Sequence, residues 1–173
     1  SGIPEVMEAV ARRGGAIRVR VLVAKALAAA LTIGSGGSAG REGPIVHIGS
    51  AIGSAVGQAV EASARRVRTL VACGAAAAIA ATFNAPIAGA LFSIEVVLGD
   101  FAVASLSPIV ISSVVATVIS RHHLGDFPAF EVPTYQASQP IELLAYAGLG
   151  LAAAGIAVAF IRLLYATGDL FER

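Results

Sequence analysis

The sequence predicts an all-α membrane protein built of broken and re-entrant helices, and three observations carry that prediction. Hydrophobic residues make up 57% of the 173 residues and charged residues 13%, whereas a soluble domain typically has about 25% charged residues. The mean hydropathy is +0.82, which indicates lipid as the solvent. Apolar runs at 69–94, 101–120 and 143–161 approach or exceed the roughly 20 residues that cross a bilayer, whereas runs at 26–39 and 43–60 are too short.

Composition and motifs also exclude several classes of function. The net charge of +1 gives no surplus for binding a polyanion, so nucleic acid is not an expected partner. Cys73 is the single cysteine and is interpreted as a packing residue. His122 and His123 are interpreted as loop histidines rather than metal ligands, and the chain has neither a nucleophile elbow nor a zinc-binding helix. We therefore expect no enzyme, no cofactor and no metal.

The first third of the chain predicts two helices and a break. Pro4 suits the first turn of a helix over residues 3–13, which a glycine pair ends. A second, alanine-rich helix is predicted over residues 17–33. Glycine and serine are so dense over residues 35–39 that an isolated helix cannot continue there.

The middle of the chain predicts closely packed helices with a second break. Pro44 opens a helix that runs to about residue 62, and its glycines at spacing four form a small-residue face suited to close helix packing: Gly49, Gly53 and Gly57. A helix of small side chains follows over residues 69–82. The F-N-A-P stretch at residues 83–86 interrupts it, because the residue before proline is pushed out of helical geometry. Another helix then runs to residue 98.

The last third predicts two helices joined by a polar connection. Residues 107–119 are rich in β-branched side chains, yet a helix is expected because lipid demands internal backbone hydrogen bonds. Residues 124–140 form a proline-containing connection whose aromatic residues suit the headgroup level. Residues 141–170 are a long final helix.

The break before Pro44 predicts a cavity that favours anions. Irregular backbone at membrane depth is tolerated only inside protein or beside water. Helix N-termini aimed at such a cavity present free N–H groups and the positive end of the helix dipole. Two segments have this character, S-G-I-P at residues 1–4 and G-R-E-G-P at residues 40–44, and Ser1 adds a hydroxyl donor.

Glu42 is the ionisable residue placed at this predicted site. Its carboxylate would occupy the same N–H groups as a free anion, and protonation would weaken its hold, so we interpret it as a gate that competes with the anion. The alternative is a carboxylate that simply pairs with the neighbouring Arg41. Residues 34–39 also fit G-x-G-x-x-A, but a long alanine-rich run precedes them and no βαβ pattern follows. A P-loop does not fit either.

Three motifs in order identify a resemblance to the CLC family of chloride channels and chloride/proton antiporters. Residues 1–4 resemble the family's G-S-G-I-P motif without its first glycine, and residues 40–44 match G-[KR]-E-G-P in full. Residues 83–89, F-N-A-P-I-A-G, resemble the stretch that follows in the family. The resemblance implies the CLC chloride channel fold, in which two inverted repeats of broken helices line an anion path in each subunit of a homodimer.

The same resemblance implies roles for individual residues. Ser1, Gly2 and Ile3 would bind a central chloride, Gly40, Arg41 and Gly43 would bind a more external one through backbone amides, and Glu42 would be the gate. Pro4 and Pro44 start the two helices. Lys25 falls where the family often has a lysine whose field favours anions, with a lysine that snorkels to the cytoplasm as the alternative. Ser1 also favours chloride over nitrate.

One departure from the family pattern bears on proton coupling. Antiporters of the family commonly have a second glutamate in a run like I-E-E, and here Val96 follows Glu95. We therefore expect a chloride channel rather than a proton-coupled antiporter, with Glu95 as a possible proton path if exchange occurs. The chain taken alone is also compatible with a structural fragment that does not transport.

The expected organisation follows from the extent of the resemblance. Residues 1–123 are interpreted as part of the first inverted repeat, 124–140 as a connecting loop and 141–173 as the long first helix of the second repeat. The chain is interpreted as a piece of a longer, multi-pass integral membrane protein in the cell membrane of a prokaryote, with chloride and the lipid bilayer as partners.

Overall fold

A computed structural model describes residues 2–38, 40–100, 102–127 and 141–171, and they form helices. The chain divides into two compact units, with the boundary after Glu131, and each is described by itself. The helices, in order, are α1 (Ile3–Arg12), α2 (Val19–Gly34), α3 (Glu42–Ala59), α4 (Ala64–Phe83), α5 (Pro86–Phe92), a π-helix (Ser93–Leu98), α6 (Val103–Leu124) and α7 (Ile141–Phe171). The predicted all-α class is confirmed.

The predicted mixture of full-length and short apolar helices is present. Within the described residues, three helices are long and apolar enough to cross a membrane, namely α4, α6 and α7, over Ala64–Phe83, Ala104–Leu124 and Glu142–Asp169. Two apolar segments, Val23–Gly34 in α2 and Pro86–Leu98, are shorter. Breaks in the backbone explain the short segments, because α2 ends before residues 35–38, which are not helical, and α5 starts at a proline.

The core of the first unit lies between α3 and α4, and small residues make it possible. A Cβ added at Gly49 would lie 2.9 Å from the Cβ of Ala78, and one added at Gly53 would lie 2.7 Å from the carbonyl carbon of Leu70. Neither position therefore has room for a methyl group. The predicted glycine face is confirmed, since the missing side chains let the two backbones approach closely.

Asn84 ends α4 and anchors the break before α5. Its φ of 55° is left-handed, a conformation that asparagine tolerates better than most residues. Its side-chain amide donates to Asp126 (2.7 Å) and accepts from Arg121 (2.6 Å), and Arg121 also lies 3.1 Å from Asp126. These bonds hold the predicted F-N-A-P interruption against the end of α6.

The segment after Pro86 differs from the single α-helix predicted to residue 98. It begins as α5 and changes at Ser93 into a π-helix that ends at Gly99, whose φ is 64°. The amide of Gly99 bonds the carbonyl of Ile94 (3.0 Å), the five-residue spacing of a π-helix. Nothing in the hydropathy pattern marks this change, because both helix types satisfy the backbone internally.

Serine hydroxyls tether α6 to α4 and α5. Ser112 and Ser120 donate to the carbonyls of Cys73 and Ala81, each at 3.0 Å, and Ser113 donates to the carbonyl of Pro86. The β-branched run is therefore helical as predicted, although α6 begins four residues earlier than residue 107. In the second unit, α7 extends over the predicted range and is apolar along its length. The prediction that His122 and His123 lie in a loop is wrong, because α6 continues to Leu124 and both histidines lie in its last turn. Of the predicted connection 124–140, residues 128–140 lie outside the described residues.

Candidate anion-binding site

The N-terminus of α1 is formed by a glycine and a proline, as predicted. Gly2 has a φ of 106°, which a side chain would strain, and its carbonyl accepts from the amides of Glu5 (3.1 Å) and Val6 (3.4 Å). Pro4 lies in the first turn, where its missing N–H costs no helical bond. The amides of Glu5 and Val6 are thus bonded to the residue that precedes the helix, and the amide of Ile3 is left without an intrahelical partner. Ser1, expected to bind the anion through its hydroxyl, lies outside the described residues.

The N-terminus of α3 has the same construction. Arg41 precedes the helix, which begins at Glu42, two residues before Pro44, and no side chain caps it. Gly43 has open space where a Cβ would stand. The first amides of α3 are therefore accessible to a ligand, and the helix dipole adds positive potential there.

The two N-termini lie next to each other. A Cβ built on Gly2 would lie 4.0 Å from the Cα of Gly43. His47, in the second turn of α3, places its Nδ1 3.4 Å from the carbonyl oxygen of Gly2, which links the two helices on the other side. The structure thus brings together the segments around Gly2 and Gly43, which the sequence places about 40 residues apart. Two positive helix ends at one point form a site suited to an anion.

The carboxylate of Glu42 turns back toward the residues that precede its own helix. A Cβ built on Gly40 would lie 3.4 Å from the carboxyl carbon of Glu42 and would overlap one of its oxygens. Glycine at position 40 is therefore what leaves room for the carboxylate. A negative group in this place is stabilised by the positive end of the helix dipole.

Arg41 does not pair with Glu42, although such a pair was the alternative interpretation of Glu42. Its guanidinium carbon lies 5.8 Å from the ring centroid of Phe83, in a cation–π arrangement. Among the ion pairs of the described residues, none joins Arg41 to Glu42. The carboxylate of Glu42 therefore has no ion pair with Arg41, and the nearby positive group is the N-terminus of α3.

Lys25 has a partner that the sequence did not suggest. Its Nζ lies 3.3 Å from Oε2 of Glu5, and that oxygen is 4.0 Å from Nδ1 of His47. Partial burial alone would raise the pKa of Glu5, but the hydrogen bond from Lys25 and the charges of His47 and Lys25 outweigh it and hold the pKa below its ordinary value. The positive charge of Lys25 is therefore paired with the carboxylate of Glu5.

Glu5 and His47 are the polar residues of this region that the sequence analysis missed. The available signal was a histidine five residues after Glu42 in an otherwise apolar helix, and a glutamate in the first turn of α1. Their proximity depends on the packing of α1 against α3, which spacing along the chain does not reveal.

Glu95 and Val96 lie in the π-helix, outside this group of residues. Glu95 is exposed and Val96 is half-buried in the first unit. Short π-helical turns occur frequently at functional sites. The described residues contain no group of three or more histidine, cysteine or acidic side chains that would hold a metal. The segment that resembled a dinucleotide motif follows the helix α2 rather than a strand, so that interpretation does not apply.

The chain matches a protein-family model along its whole length. The family model described as voltage gated chloride channel matches residues 1–173. No solved structure matches the chain significantly.

Curated relatives include both channels and an exchanger. The chain is 38% identical over 156 residues to a putative chloride channel protein ClcB-like of Ralstonia nicotianae, covering 88% of this chain and 36% of that one. It is 38% identical over 146 residues to chloride channel protein CLC-f of Arabidopsis thaliana (82% and 19%). It is 32% identical over 176 residues to the H(+)/Cl(-) exchange transporter ClcA of Yersinia pestis (100% and 37%). The chain thus spans between about a fifth and two fifths of the length of these relatives.

Proposed function

The chain belongs to the voltage gated chloride channel family, and we propose that the protein containing it moves chloride across a membrane through a path gated by Glu42. Because three helices in the described part of the chain are long and apolar enough to cross a bilayer, it is an integral membrane protein. The transported ligand is chloride or a similar small anion, and the protein needs no other cofactor.

The observation that carries this proposal is the meeting of two helix N-termini at Gly2 and Gly43. Each supplies free amides and the positive end of a dipole, and glycine leaves the backbone accessible to the ion. The contribution of a helix end to binding an anion is modest, about 0.3 to 1 kcal/mol when exposed. Such a site holds an ion weakly enough to release it, as conduction requires.

Glu42 serves as the gate because its carboxylate competes with the anion for the amides of α3. Its carboxylate lies beside Gly40, and we expect protonation to weaken its attraction to the helix N-terminus, so that an anion replaces it. Ser1, Gly2 and Ile3 would bind a central ion, and the backbone of residues 40–43 an external one. Pro4 and Pro44 fix the start of each helix.

Channel behaviour is favoured over proton exchange, because Val96 stands where antiporters of the family commonly have an acidic residue. Glu95 is the alternative proton path. Its exposure in the π-helix leaves it free to contact other parts of the full-length protein. We also propose that the protein forms a homodimer and resides in the cell membrane of a prokaryote. Residues 1–123 would belong to its first repeat, and residues 141–173 would begin its second.

The proposal is tested with the full-length native protein reconstituted in liposomes. We expect chloride efflux whose dependence on pH is strongly reduced by Glu42→Gln, because glutamine mimics the protonated gate at every pH. Glu61→Gln is the matched control, since Glu61 follows the opposite end of α3 and is exposed.

Three results separate the alternatives. Absence of chloride flux at every pH and voltage, with the protein folded, would contradict transport and favour a structural role. An unchanged pH response in Glu42→Gln would remove the gate from Glu42. Uphill proton movement in fixed ratio to chloride would establish exchange, and Glu95→Gln would then show whether Glu95 carries the proton.

A further inference from the structure

Three arginines stand at the start of α4, where a helix ordinarily carries acidic residues. Arg65, Arg66 and Arg68 lie among its first five residues, and its first turn has no acidic residue. Cations are unfavourable at the positive end of a helix dipole. All three residues are exposed, and none of them takes part in an ion pair among the described residues. This end of α4 therefore has an excess of positive charge that an anionic ligand would offset.

The start of α6 lies at the same end of the molecule as the start of α4. Ser112 and Ser120 of α6 donate to the carbonyls of Cys73 and Ala81 of α4, in the same order along both helices, so the two helices run parallel. Both are long and apolar enough to cross a membrane, which places their first turns at one membrane surface. Because arginine is enriched on the cytoplasmic side of membrane proteins, we assign this surface to the cytoplasm.

A cavity of about 750 Å³ lies between the first turns of α4 and α6. This volume falls within the roughly 300 to 1,000 Å³ of small-molecule sites. The lining is polar at the start of the helices and apolar further along them, with Glu61, Ser63, Arg65, Arg66 and Ser105 in the polar part and Leu70, Cys73 and Pro108 in the apolar part. Cys73 stands about 12 Å beyond Arg65 along α4, at 1.5 Å per residue. The cavity therefore leads from the membrane surface toward the bilayer interior.

Two polar groups of this cavity lack the partners that a helix usually gives them. Ser63 is the N-cap residue of α4, but its side chain makes no capping hydrogen bond. Pro108, inside α6, has no N–H to donate to the carbonyl of Ala104, one turn earlier. A phosphate can accept from the hydroxyl of Ser63, and a hydroxyl of a lipid headgroup can donate to the carbonyl of Ala104.

The cavity lining has a net positive charge. Glu61 is its acidic residue, against the two arginines, and forms no ion pair among the described residues. Asp100 belongs instead to a neighbouring groove, together with Arg65 and Arg68. The charges that face the cavity thus match a ligand with a single negative charge.

We propose that this cavity binds an anionic phospholipid, with its phosphate at Arg65 and Arg66 and an acyl chain along the groove between α4 and α6. Basic pockets between membrane-spanning helices on the cytoplasmic side suit anionic headgroups. The apolar part of the lining favours a lipid over free phosphate, because only a lipid has an apolar chain to place against Leu70 and Pro108. None of the lining residues belongs to the N-termini of α1 and α3, so the site is separate from the proposed anion path.

The test uses the full-length native protein in detergent and measures its affinity for phosphatidylglycerol and for phosphatidylcholine by native mass spectrometry. We expect phosphatidylglycerol to bind about tenfold more tightly or better, since each arginine near a membrane surface contributes roughly fivefold. Arg65→Gln/Arg66→Gln should remove this preference. Arg12→Gln/Arg13→Gln is the matched control and should retain it, because these arginines at the end of α1 are also exposed but do not line the cavity.

A second pair of variants keeps both arginines and changes the cavity. Ala104 is exposed in the first turn of α6, where a carboxylate is favourable for the helix, so Ala104→Glu should fold. Its carboxylate would compete with the phosphate for the two arginines, and we expect the preference for phosphatidylglycerol to fall about fivefold or more. Ala104→Gln has nearly the same size without the charge and should retain more of the preference.

Four results would overturn the inference. Equal affinity for the two lipids contradicts an anionic site, and a preference that survives Arg65→Gln/Arg66→Gln places the site elsewhere. Equal loss in Arg12→Gln/Arg13→Gln would indicate a general effect of surface charge. Displacement of phosphatidylglycerol by soluble glycerol phosphate would mean that the cavity takes free phosphate rather than a lipid. Lipid binding is measured without chloride flux, so a failure of the proposed transport function leaves this inference standing, and the reverse also holds.

Discussion

The two halves of α3 use glycine for opposite purposes. In the first half, Gly43 has open space around its missing Cβ and stands beside the N-terminus of α1. In the second half, the backbone of α4 packs directly against Gly49 and Gly53, where a Cβ atom would otherwise lie. The first half leaves its backbone uncovered at Gly43, and the second half packs its backbone against α4.

The difference shows how one helix can combine close packing at one end with an uncovered N-terminus at the other. The closed half fixes the position of α3 through contact with α4 and through hydrogen bonds to the turn after α1. The open half then presents its free amides from a rigid support. Stability and the proposed ion binding would thereby depend on different turns of the same helix.

The largest expected effect is at the closed half, in Gly53→Ala. The added methyl group would overlap the carbonyl of Leu70, which is backbone and cannot rotate away. We expect a loss of about 2 to 3 kcal/mol in the free energy of unfolding, as for other overpacked interiors. Denaturant titration of the purified full-length protein in mixed micelles measures it. A change near zero in the free energy of unfolding would mean that α3 and α4 can move apart at little cost. The two halves of α3 would then not differ in how tightly they are packed.

A smaller effect on the free energy of unfolding is expected from Ser54→Ala, because Ser54 bonds the closed half of α3 to the turn after α1. The Ser54 hydroxyl donates to the carbonyl of Gly15 (2.7 Å) and accepts from the amide of Ile17 (2.8 Å), all in a buried position. Losing it leaves both groups unpaired. We expect a cost of about 1 kcal/mol, since hydrogen bonds within membrane proteins average somewhat less than that.

Ser50→Ala is the matched control for Ser54, one turn earlier on the same helix. The Ser50 hydroxyl is equally buried but has no partner among the described residues. Its removal should cost less than that of Ser54 in the same titration. Equal losses for the two serines would show that packing, rather than the bonds of Ser54, fixes the turn after α1.

The smallest effect on stability is expected at the open half, in Gly43→Ala. The same substitution as at Gly53 meets no atom within 4 Å here, so the free energy of unfolding should change by no more than about 0.5 kcal/mol. Because the methyl group would stand near the path of the ion, chloride flux should fall while the protein remains folded. Loss of folding in Gly43→Ala would contradict the finding that there is room for a methyl group at Gly43.

Much of this arrangement was predictable from local sequence. Pro4, Pro44 and the G-S-G-G-S run at residues 34–38 fixed where helices begin and stop, and the glycine spacing predicted the close face of α3. The change to a π-helix at Ser93 was not predictable, and neither was the pairing of Lys25 with Glu5. The predicted anion ligands and repeat boundaries stay predictions.

The sequence by itself determined the helical class, the breaks and the family, because hydropathy, proline and glycine act within a few residues of where they stand. Only the tertiary structure decided which glycines are covered by a neighbouring helix. Gly43 and Gly53 are the same residue type in the same helix, but only Gly53 has the backbone of α4 packed against it. It also brought His47 to the carbonyl of Gly2, 45 residues away. Contacts over such separations depend on how helices pack, and packing is a property of pairs of surfaces that one stretch of sequence does not contain.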